Sequence, residues 1–297
     1  MPLHTGKATL NTQTMVPSLK EGCPKGGVFN MLTFPNAKIN LGLQVTGKLP
    51  NGYHTISSCL FPIPWCDALE FIEAKKTSFQ SSGIPIPGNQ QDNLVLKAFK
   101  LLKKDYPLPH LSIHLHKTIP MGAGLGGGSA DGAFMLTMLN QEFQLFLDDS
   151  LMEDYAVQLG SDCPFFIENK PVLVSGRGEV LQSTSLDLTG TYVVLINPNI
   201  HISTKEAYSG ITPTVPTQLC STILHQPKSK WKTLLKNDFE ESIFPNHPKI
   251  EHIKQELYEA GAWYASMTGS GSTVFGLFET EIALTKWASF SHFAHWL

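Results

Sequence analysis

Cysteines and charged residues are scarce in this sequence, and long apolar runs are missing. Its 297 residues include five cysteines, an odd number without a C-x-x-C pair, which argues against a disulfide framework or zinc ribbon and favours a reducing cytoplasm. The formal net charge of −3 supplies no basic field, so neither nucleic acid nor a membrane is an expected partner. No apolar run reaches the roughly 18 residues of a membrane span. What remains is a globular chain, 42% hydrophobic, that can bury a sizeable core.

The first 30 residues differ from the rest of the chain. They contain Lys7, Lys20 and Lys25 among Gly, Pro, Thr and Asn, but no apolar stretch suited to a signal peptide. We expect residues 1–30 to be a disordered or non-native extension. A clean strand pattern begins at Met31, and Met31 is therefore a hypothetical natural start.

Residues 37–45 alternate between apolar and polar side chains, which predicts a half-buried strand. Its polar face presents Lys38 and Asn40 next to each other. Asn51-Gly52 is a hairpin turn signal, and Tyr53-His54 follow it directly. A second strand, over residues 55–61, is expected to return beside the first.

Downstream, the pattern mixes helices and strands. Helices are predicted over 94–104, after an Asp92-Asn93 cap, over 129–140, from Asp148-Asp149 to Gly160, over 249–260, and at the C terminus. Strands are predicted over 113–117, 192–197, 263–267 and 273–278, and residues 171–181 are expected to be extended. Because strands and helices do not alternate regularly, the pattern favours an α+β fold.

Five glycines fall within seven positions, at Gly122, Gly124, Gly126, Gly127 and Gly128. Such a loop before a helix lets backbone N–H groups and the helix N-terminus hold the phosphates of a nucleotide. No lysine follows these glycines, which excludes a Walker A loop. The dinucleotide fingerprint matches formally, but residues 117–121 do not form a buried parallel strand before it. A flexible loop without a ligand is the alternative.

Five motifs resemble the superfamily of galactokinase, homoserine kinase, mevalonate kinase and phosphomevalonate kinase. Its ATP-binding motif is similar to Pro120-Met-Gly-Ala-Gly-Leu-Gly-Gly-Gly-Ser-Ala130, and its C-terminal glycine motif to Met267-Thr-Gly-Ser-Gly-Ser-Thr-Val-Phe275. Pro35-Asn-Ala-Lys-Ile-Asn-Leu41, Asn51-Gly-Tyr-His-Thr55 and Leu159-Gly-Ser-Asp-Cys-Pro-Phe165 resemble the branch whose substrate is a cytidine diphosphate-linked sugar alcohol. The similarity extends from about Met31 to the end of the chain.

The resemblance implies an ATP-dependent small-molecule kinase with an alcohol acceptor and Mg²⁺ as cofactor. It also implies a two-domain fold, with an N-terminal ATP-binding domain over 31–185 and a ferredoxin-like α+β domain over 186–297. A homoserine- or mevalonate-type kinase stays open as an alternative, as does a nucleotide-binding protein without catalysis. The candidate ATP-binding residues are Pro120, Met121, Gly122, Ala123, Gly124, Leu125, Gly126, Gly127, Gly128, Ser129 and Ala130.

Phosphoryl transfer to an alcohol needs a group that receives the hydroxyl proton. By position alone, Asp162 is better explained as a capping or surface-loop aspartate, but the resemblance reverses this preference because Asp162 falls on the catalytic aspartate of the family. The same match places Lys38 beside it, where a cation would favour the carboxylate and polarise the acceptor hydroxyl.

Tyr53 and His54 offer an aromatic face and an imidazole edge, which suit stacking and hydrogen bonding to a nucleobase. In the family this pair holds the cytosine. The resemblance also assigns Tyr208 as a second aromatic on the base. Asn40 is expected to form a hydrogen bond with the sugar alcohol or at the site of proton transfer. Ala130 stands where the family often has serine, and the magnesium ligands are therefore unknown.

Overall fold

The structure, a computed structural model, describes residues 31–297. The expected extension over residues 1–30 lies outside the described residues. Within the described part the chain forms twelve strands: β1 (Met31–Thr33), β2 (Asn36–Lys48), β3 (His54–Cys66), β4 (Ala68–Ala74), β5 (Ser78–Gly83), β6 (His110–Lys117), β7 (Val172–Ser175), β8 (Val180–Ser183), β9 (Tyr192–Asn197), β10 (Tyr264–Met267), β11 (Val274–Phe278) and β12 (Ser291–Trp296).

Nine α-helices accompany these strands in the same part of the chain: α1 (Leu94–Asp105), α2 (Gly127–Glu142), α3 (Asp149–Leu159), α4 (Phe165–Glu168), α5 (Thr204–Ser209), α6 (Cys220–Leu224), α7 (Trp231–Leu234), α8 (Phe239–Ile243) and α9 (Pro248–Glu259). Asn93 caps α1, because its side chain accepts a hydrogen bond from the N–H of Val95. Asp148 caps α3 in the same way through Leu151. No helix among residues 31–297 is long and apolar enough to cross a membrane.

The strands form three four-stranded sheets, with the orders β1-β4-β6-β5, β2-β3-β7-β8 and β10-β11-β9-β12. The first two are formed by residues 31–183, and α1 to α3 pack with the first around a core that contains Phe71, Phe99 and Leu136. The third lies against α9 through Ile250, Ile253 and Leu257. The predicted boundary at 185/186 falls in the connection between β8 and β9 and stays a prediction.

Strand β2 is buried on both faces, whereas its alternation predicts a half-buried strand. Lys38 and Asn40 are each only 4% exposed. The polar face is covered because the glycine loop and the β10–β11 turn pack on it: Asn40 N–H donates to Thr268 Oγ1 at 3.0 Å. The prediction of a half-buried strand is therefore wrong in its burial, although the strand and its alternation are present.

The predicted C-terminal helix is also wrong. After one short 3₁₀ turn at Thr285–Trp287, the chain forms β12, which pairs antiparallel with β9 along its whole length. Phe293 packs on one core cluster and Ala294 on another, so successive side chains use both faces of the sheet. An open edge of β9 needs hydrogen-bond partners, and this demand outweighs the local helix propensity of the segment.

Candidate active site

The glycine loop connects β6 to α2. Gly122, Gly124 and Gly126 have φ values of +60°, +77° and +69°, in the left-handed region that favours glycine. A Cβ on Gly124 would lie 2.0 Å from the carbonyl oxygen of Thr268, so this position also requires the missing side chain for close approach. Helix α2 begins with Gly126 as its N-cap and has no side-chain cap, which leaves N–H groups of its first turn available to a ligand.

The loop is fixed to distant parts of the chain. Leu125 O accepts the N–H of Lys38 at 2.9 Å, and Ala123 O accepts the N–H of Thr273 at 3.3 Å. Thr268 Oγ1 donates to Gly124 O at 3.1 Å. The phosphate cradle is thus held between β2 and the β10–β11 turn.

Lys38 reaches the loop from the polar face of β2. Its Nζ donates to Asn40 Oδ1 at 2.7 Å and to Gly124 O at 3.0 Å, and it lies 3.6 Å from Asp162 Oδ2. Burial lowers the pKa of Lys38, and the neighbouring Asp162 carboxylate opposes this shift. The structure therefore brings the two predicted catalytic residues together.

Asp162 lies in the connection between α3 and α4. Its side chain is 43% exposed, against 5% for Lys38. A carboxylate at the mouth of a cavity, with a buried cation behind it, can meet an entering hydroxyl group. The same carboxylate contributes, after burial, to raising the pKa of Tyr208.

Asn40 has little freedom to contact a ligand. Its Oδ1 accepts from Lys38, and its Nδ2 donates to Ser58 Oγ at 2.9 Å. Both ends of the side-chain amide are occupied within the protein. In this arrangement Asn40 orients the ammonium group of Lys38, while its predicted contact to the sugar alcohol stays a prediction.

Two cavities adjoin at this place. The first, of about 510 Å³, contains Lys38, Asn40 and Asp162 together with the loop residues Pro120 to Ser129. The second, of about 770 Å³, contains Tyr53, His54 and Tyr208. We call them the transfer cavity and the base cavity. Tyr208 lines both, so the predicted base-binding residues lie next to the predicted catalytic pair.

The three aromatic candidates differ in their surroundings. Tyr53 is 60% exposed. The His54 and Tyr208 rings stack on each other, with centroids 4.7 Å apart and planes inclined by 14°. Burial lowers the pKa of His54, and the positive charge of Lys48 lowers it further. A ring inserted between two others needs roughly 7 Å between them, twice an ordinary contact distance. A base can therefore stack on Tyr53, or against Tyr208 after His54 moves, but not between His54 and Tyr208 as they lie.

Ala130 is the one predicted loop residue that does not line the transfer cavity. It is fully buried, in a cluster with Leu60, Phe165 and Val172. Ser129 does line the cavity and supplies a hydroxyl oxygen at the start of α2. Within residues 31–297 there is no group of three or more His, Cys, Asp or Glu side chains able to hold a metal ion.

Sequence reasoning missed a buried ionic cluster behind the loop. Lys117, the last residue of β6, donates to Asp67 Oδ2 and, at 2.8 Å, to Asp131 Oδ2. Asp67 Oδ1 also accepts the N–H groups of Thr118 and Ile119, and the cluster therefore ties both ends of the loop together. Burial raises the pKa of Asp131 to about 8, against the opposing effect of Lys117 and with a further contribution from Asp67. The sequence signal for this cluster is a pair of opposite charges on either side of the glycine loop, Lys117 before it and Asp131 after it.

Comparison with known proteins agrees with this geometry. Residues 93–170 match the family model of the GHMP kinases N terminal domain, and residues 225–289 match that of GHMP kinases C terminal. A crystal structure of 4-(cytidine 5'-diphospho)-2C-methyl-D-erythritol kinase superposes with a TM-score of 0.77 at 27% identity, covering 89% of this chain and 98% of that one. A homoserine kinase from Cytophaga hutchinsonii, at 17% identity and a TM-score of 0.66, shares the fold.

Curated relatives are more similar in sequence. The 4-diphosphocytidyl-2-C-methyl-D-erythritol kinase of Cytophaga hutchinsonii is 52% identical over 252 residues, 84% of this chain and 93% of the relative. The kinase of the same name from Bacteroides fragilis is 50% identical over 260 residues, 86% of this chain and 95% of the relative.

The fold and the two matched domains define a GHMP kinase, an ATP-dependent small-molecule kinase. Within that class, the chain belongs to the 4-diphosphocytidyl-2-C-methyl-D-erythritol kinase family. The predicted α+β fold, the predicted superfamily and the predicted kinase activity are confirmed. The roles of the individual site residues stay predictions.

Proposed function

We propose that the protein transfers the γ-phosphoryl group of ATP to the 2-hydroxyl of 4-diphosphocytidyl-2-C-methyl-D-erythritol, a step of the non-mevalonate route to isoprenoids, in the cytoplasm. The observation that carries the proposal is the position of the Lys38–Asp162 pair, 3.6 Å apart, at the meeting point of the glycine loop and the transfer cavity. The base cavity beside it accounts for the cytidine part of the substrate.

Asp162 acts as the base. As the hydroxyl oxygen forms its bond to the γ-phosphorus, the hydroxyl proton passes to the Asp162 carboxylate and the bond to the departing ADP oxygen breaks. Lys38 places a positive charge beside the reacting oxygens, in a buried site where that charge is weakly screened. Asn40 and Gly124 hold its ammonium group in position.

The glycine loop holds the phosphates of ATP through backbone N–H groups and the N-terminus of α2. Mg²⁺ would neutralise charge on these phosphates. Since the described residues include no acidic cluster for a metal, we propose that the ion is bound chiefly by phosphate oxygens and water, with Ser129 as the hydroxyl oxygen of the loop that lines the cavity. Mg²⁺ retains several of its waters when it binds substrate phosphates, so it needs few ligands from the protein.

A coupled assay of ADP release tests the function directly. The enzyme is offered the cytidyl substrate, mevalonate and homoserine in parallel, each with ATP. We expect turnover with the first alone. Consumption of mevalonate or homoserine without turnover of the cytidyl substrate would overturn the assignment, since the base cavity would then have no role in catalysis.

A further inference from the structure

One positive charge in the molecule differs in kind from all the others. Arg177 is the only arginine of the 297-residue sequence, and the remaining 21 of its 22 cationic residues are lysines. An arginine presents a planar fork of donors that binds two oxygens of a phosphate at once, whereas a lysine is a single flexible charge. The position of the one arginine is therefore informative.

Arg177 lies in the tight turn between β7 and β8. The glycines on either side, Gly176 and Gly178, have φ values of +67° and +115°. Glu179 fixes the turn, because its Oε2 accepts the backbone N–H of Arg177 and its Oε1 lies 3.4 Å from Arg177 Nε. The pKa of Glu179 is lowered by the backbone N–H groups of Glu179 and Arg177 and by the guanidinium group, so a charged carboxylate holds the arginine stem.

Among the described residues, the far end of the guanidinium group has no hydrogen-bond partner. It lies over the ring of Tyr53, 5.5 Å from its centroid, and the side chain is 48% exposed. Neither terminal nitrogen donates a hydrogen bond to any other residue within 31–297. A guanidinium group that is already held at Nε and has unused N–H donors can bind an anion at low entropic cost.

The transfer cavity and the base cavity share four lining residues: Ser161, Arg177, Thr204 and Tyr208. Arg177 is the only charged side chain of the four. A substrate with its base on Tyr53 and its hydroxyl at Asp162 must pass the group that links these parts through the junction of the two cavities.

We propose that Arg177 binds the diphosphate of the nucleotide-linked substrate at this junction and is thereby a specificity-determining residue. The proposal rests on the proposed function, because that function puts the two ends of the substrate in the two cavities. The other cations of the two cavities lie off this junction, since Lys38 and Lys117 line only the transfer cavity and Lys205 lines only the base cavity. Ser161 and Thr204 add hydroxyl donors beside it.

The test compares cytidine with cytidine 5'-diphosphate as ligands, by calorimetry, so that no catalytic step enters the readout. The wild-type protein is expected to bind the diphosphate at least tenfold more tightly than the nucleoside. Arg177→Gln should reduce this ratio about tenfold, the loss expected for a charge-assisted hydrogen bond, while the affinity for cytidine changes less than about twofold. Arg177→Lys should restore only part of the ratio.

Lys170→Gln is the matched control. It also removes one positive charge, from a side chain that is 73% exposed and lines neither cavity, and it should leave the ratio unchanged. Arg177→Gln is tested for folding by its thermal midpoint. An unchanged ratio in Arg177→Gln overturns the proposal. An equal loss for cytidine and its diphosphate also overturns it, because the arginine would then act by supporting Tyr53.

A second experiment uses the wild-type protein. Because the sequence has one arginine, phenylglyoxal should modify a single side chain, as counted by intact mass. Cytidine 5'-diphosphate should protect it and cytidine should not; equal protection by both would count against the proposal. The two proposals fail in different ways. If the wild-type protein turns over the cytidyl substrate but Arg177→Gln leaves the ratio of the two affinities unchanged, only the role of Arg177 is refuted. Failure of the proposed function would be seen separately, as absent turnover of the cytidyl substrate.

Discussion

Replacement of Asp162 by asparagine separates the chemical step from substrate binding. The change keeps the size of the side chain and removes one negative charge, 3.6 Å from Lys38 Nζ. Because the carboxylate is 43% exposed, the lost ion pair should cost at most about 1 kcal/mol of unfolding free energy. The folded protein and both cavities should persist.

The catalytic effect is expected to be much larger. A positioned general base contributes a factor of about 10² to 10⁴, so kcat should fall by that factor, which corresponds to about 3–5 kcal/mol in the activation barrier. Both KM values should stay within about threefold, since the loop and the aromatic residues that bind the substrates are untouched. The Asp162 carboxylate counteracts the lowering of the Lys38 pKa by burial. Without that carboxylate, the pKa of Lys38 should therefore fall further.

Steady-state ADP release with each substrate varied in turn measures these quantities. Asp154→Asn, on the exposed side of α3, is the control for the loss of one carboxylate and should leave kcat unchanged. If kcat of Asp162→Asn stays within threefold of the wild-type value, the assignment of the base is refuted. A loss confined to KM would instead make Asp162 a binding residue.

Three further substitutions test other parts of the site. Tyr53→Ala should raise KM for the cytidyl substrate about tenfold with little change in kcat, because a stacking surface that is 60% exposed is removed. Gly124→Ala should lower the unfolding free energy by about 1–3 kcal/mol and raise KM for ATP, since the new Cβ would lie 2.0 Å from Thr268 O. Asp131→Asn should alter the pH dependence of stability. With a folded pKa of about 8 against 3.8 unfolded, Asp131 binds its proton more tightly in the folded state, and its contribution to stability is lost as pH rises from about 4 to 8.

A control variant accompanies each of the first two substitutions, and the third is judged by its pH profile. Phe146→Ala removes an aromatic side chain that is 87% exposed and outside both cavities, and a similar rise in KM there would contradict the role of Tyr53. Gly190 has the same φ of +77° as Gly124 but nothing within 4 Å, so Gly190→Ala isolates the clash. For Asp131→Asn, urea unfolding between pH 5 and 8 should show the variant gaining on the wild type by up to about 1.4 kcal/mol per pH unit. Parallel pH curves would show that Asp131 does not carry the proton.

The local sequence predicts the elements of the fold well where a single segment decides them. The alternation in residues 37–45 and the asparagine before α1 each act over a few residues, and the structure contains both features. The burial of Lys38 depends instead on Gly124, 86 residues away, and on Thr268 beyond it. Periodicity reports which face of a strand is apolar, but it contains no information on what covers the polar face.

The C-terminal segment shows the same limit. Residues 291–296 span fewer than two helical turns, too few for periodicity to distinguish a strand from a helix, and their strand pairing comes from the edge of β9. The candidate site was more predictable than this segment, because its motifs carry the resemblance to a known superfamily. The motifs give no role to Lys117, Asp67 or Arg177, since none of the three is part of them. Their contacts, Lys117 with Asp67 and Arg177 with Tyr53, join segments distant in the chain.

The attachment of the glycine loop to the β10–β11 turn has a consequence for recombination between relatives. Gly124 approaches the backbone of Thr268 across 144 residues, and Thr273 donates to Ala123 from the same turn. The shape of the ATP cradle is therefore encoded jointly by two segments from opposite halves of the gene. A chimera that joins the N-terminal half of one kinase to the C-terminal half of another inherits a working cradle only when both partners bring matching versions of this contact. The β10–β11 turn and the glycine loop should be exchanged as one unit, wherever the crossover point is placed.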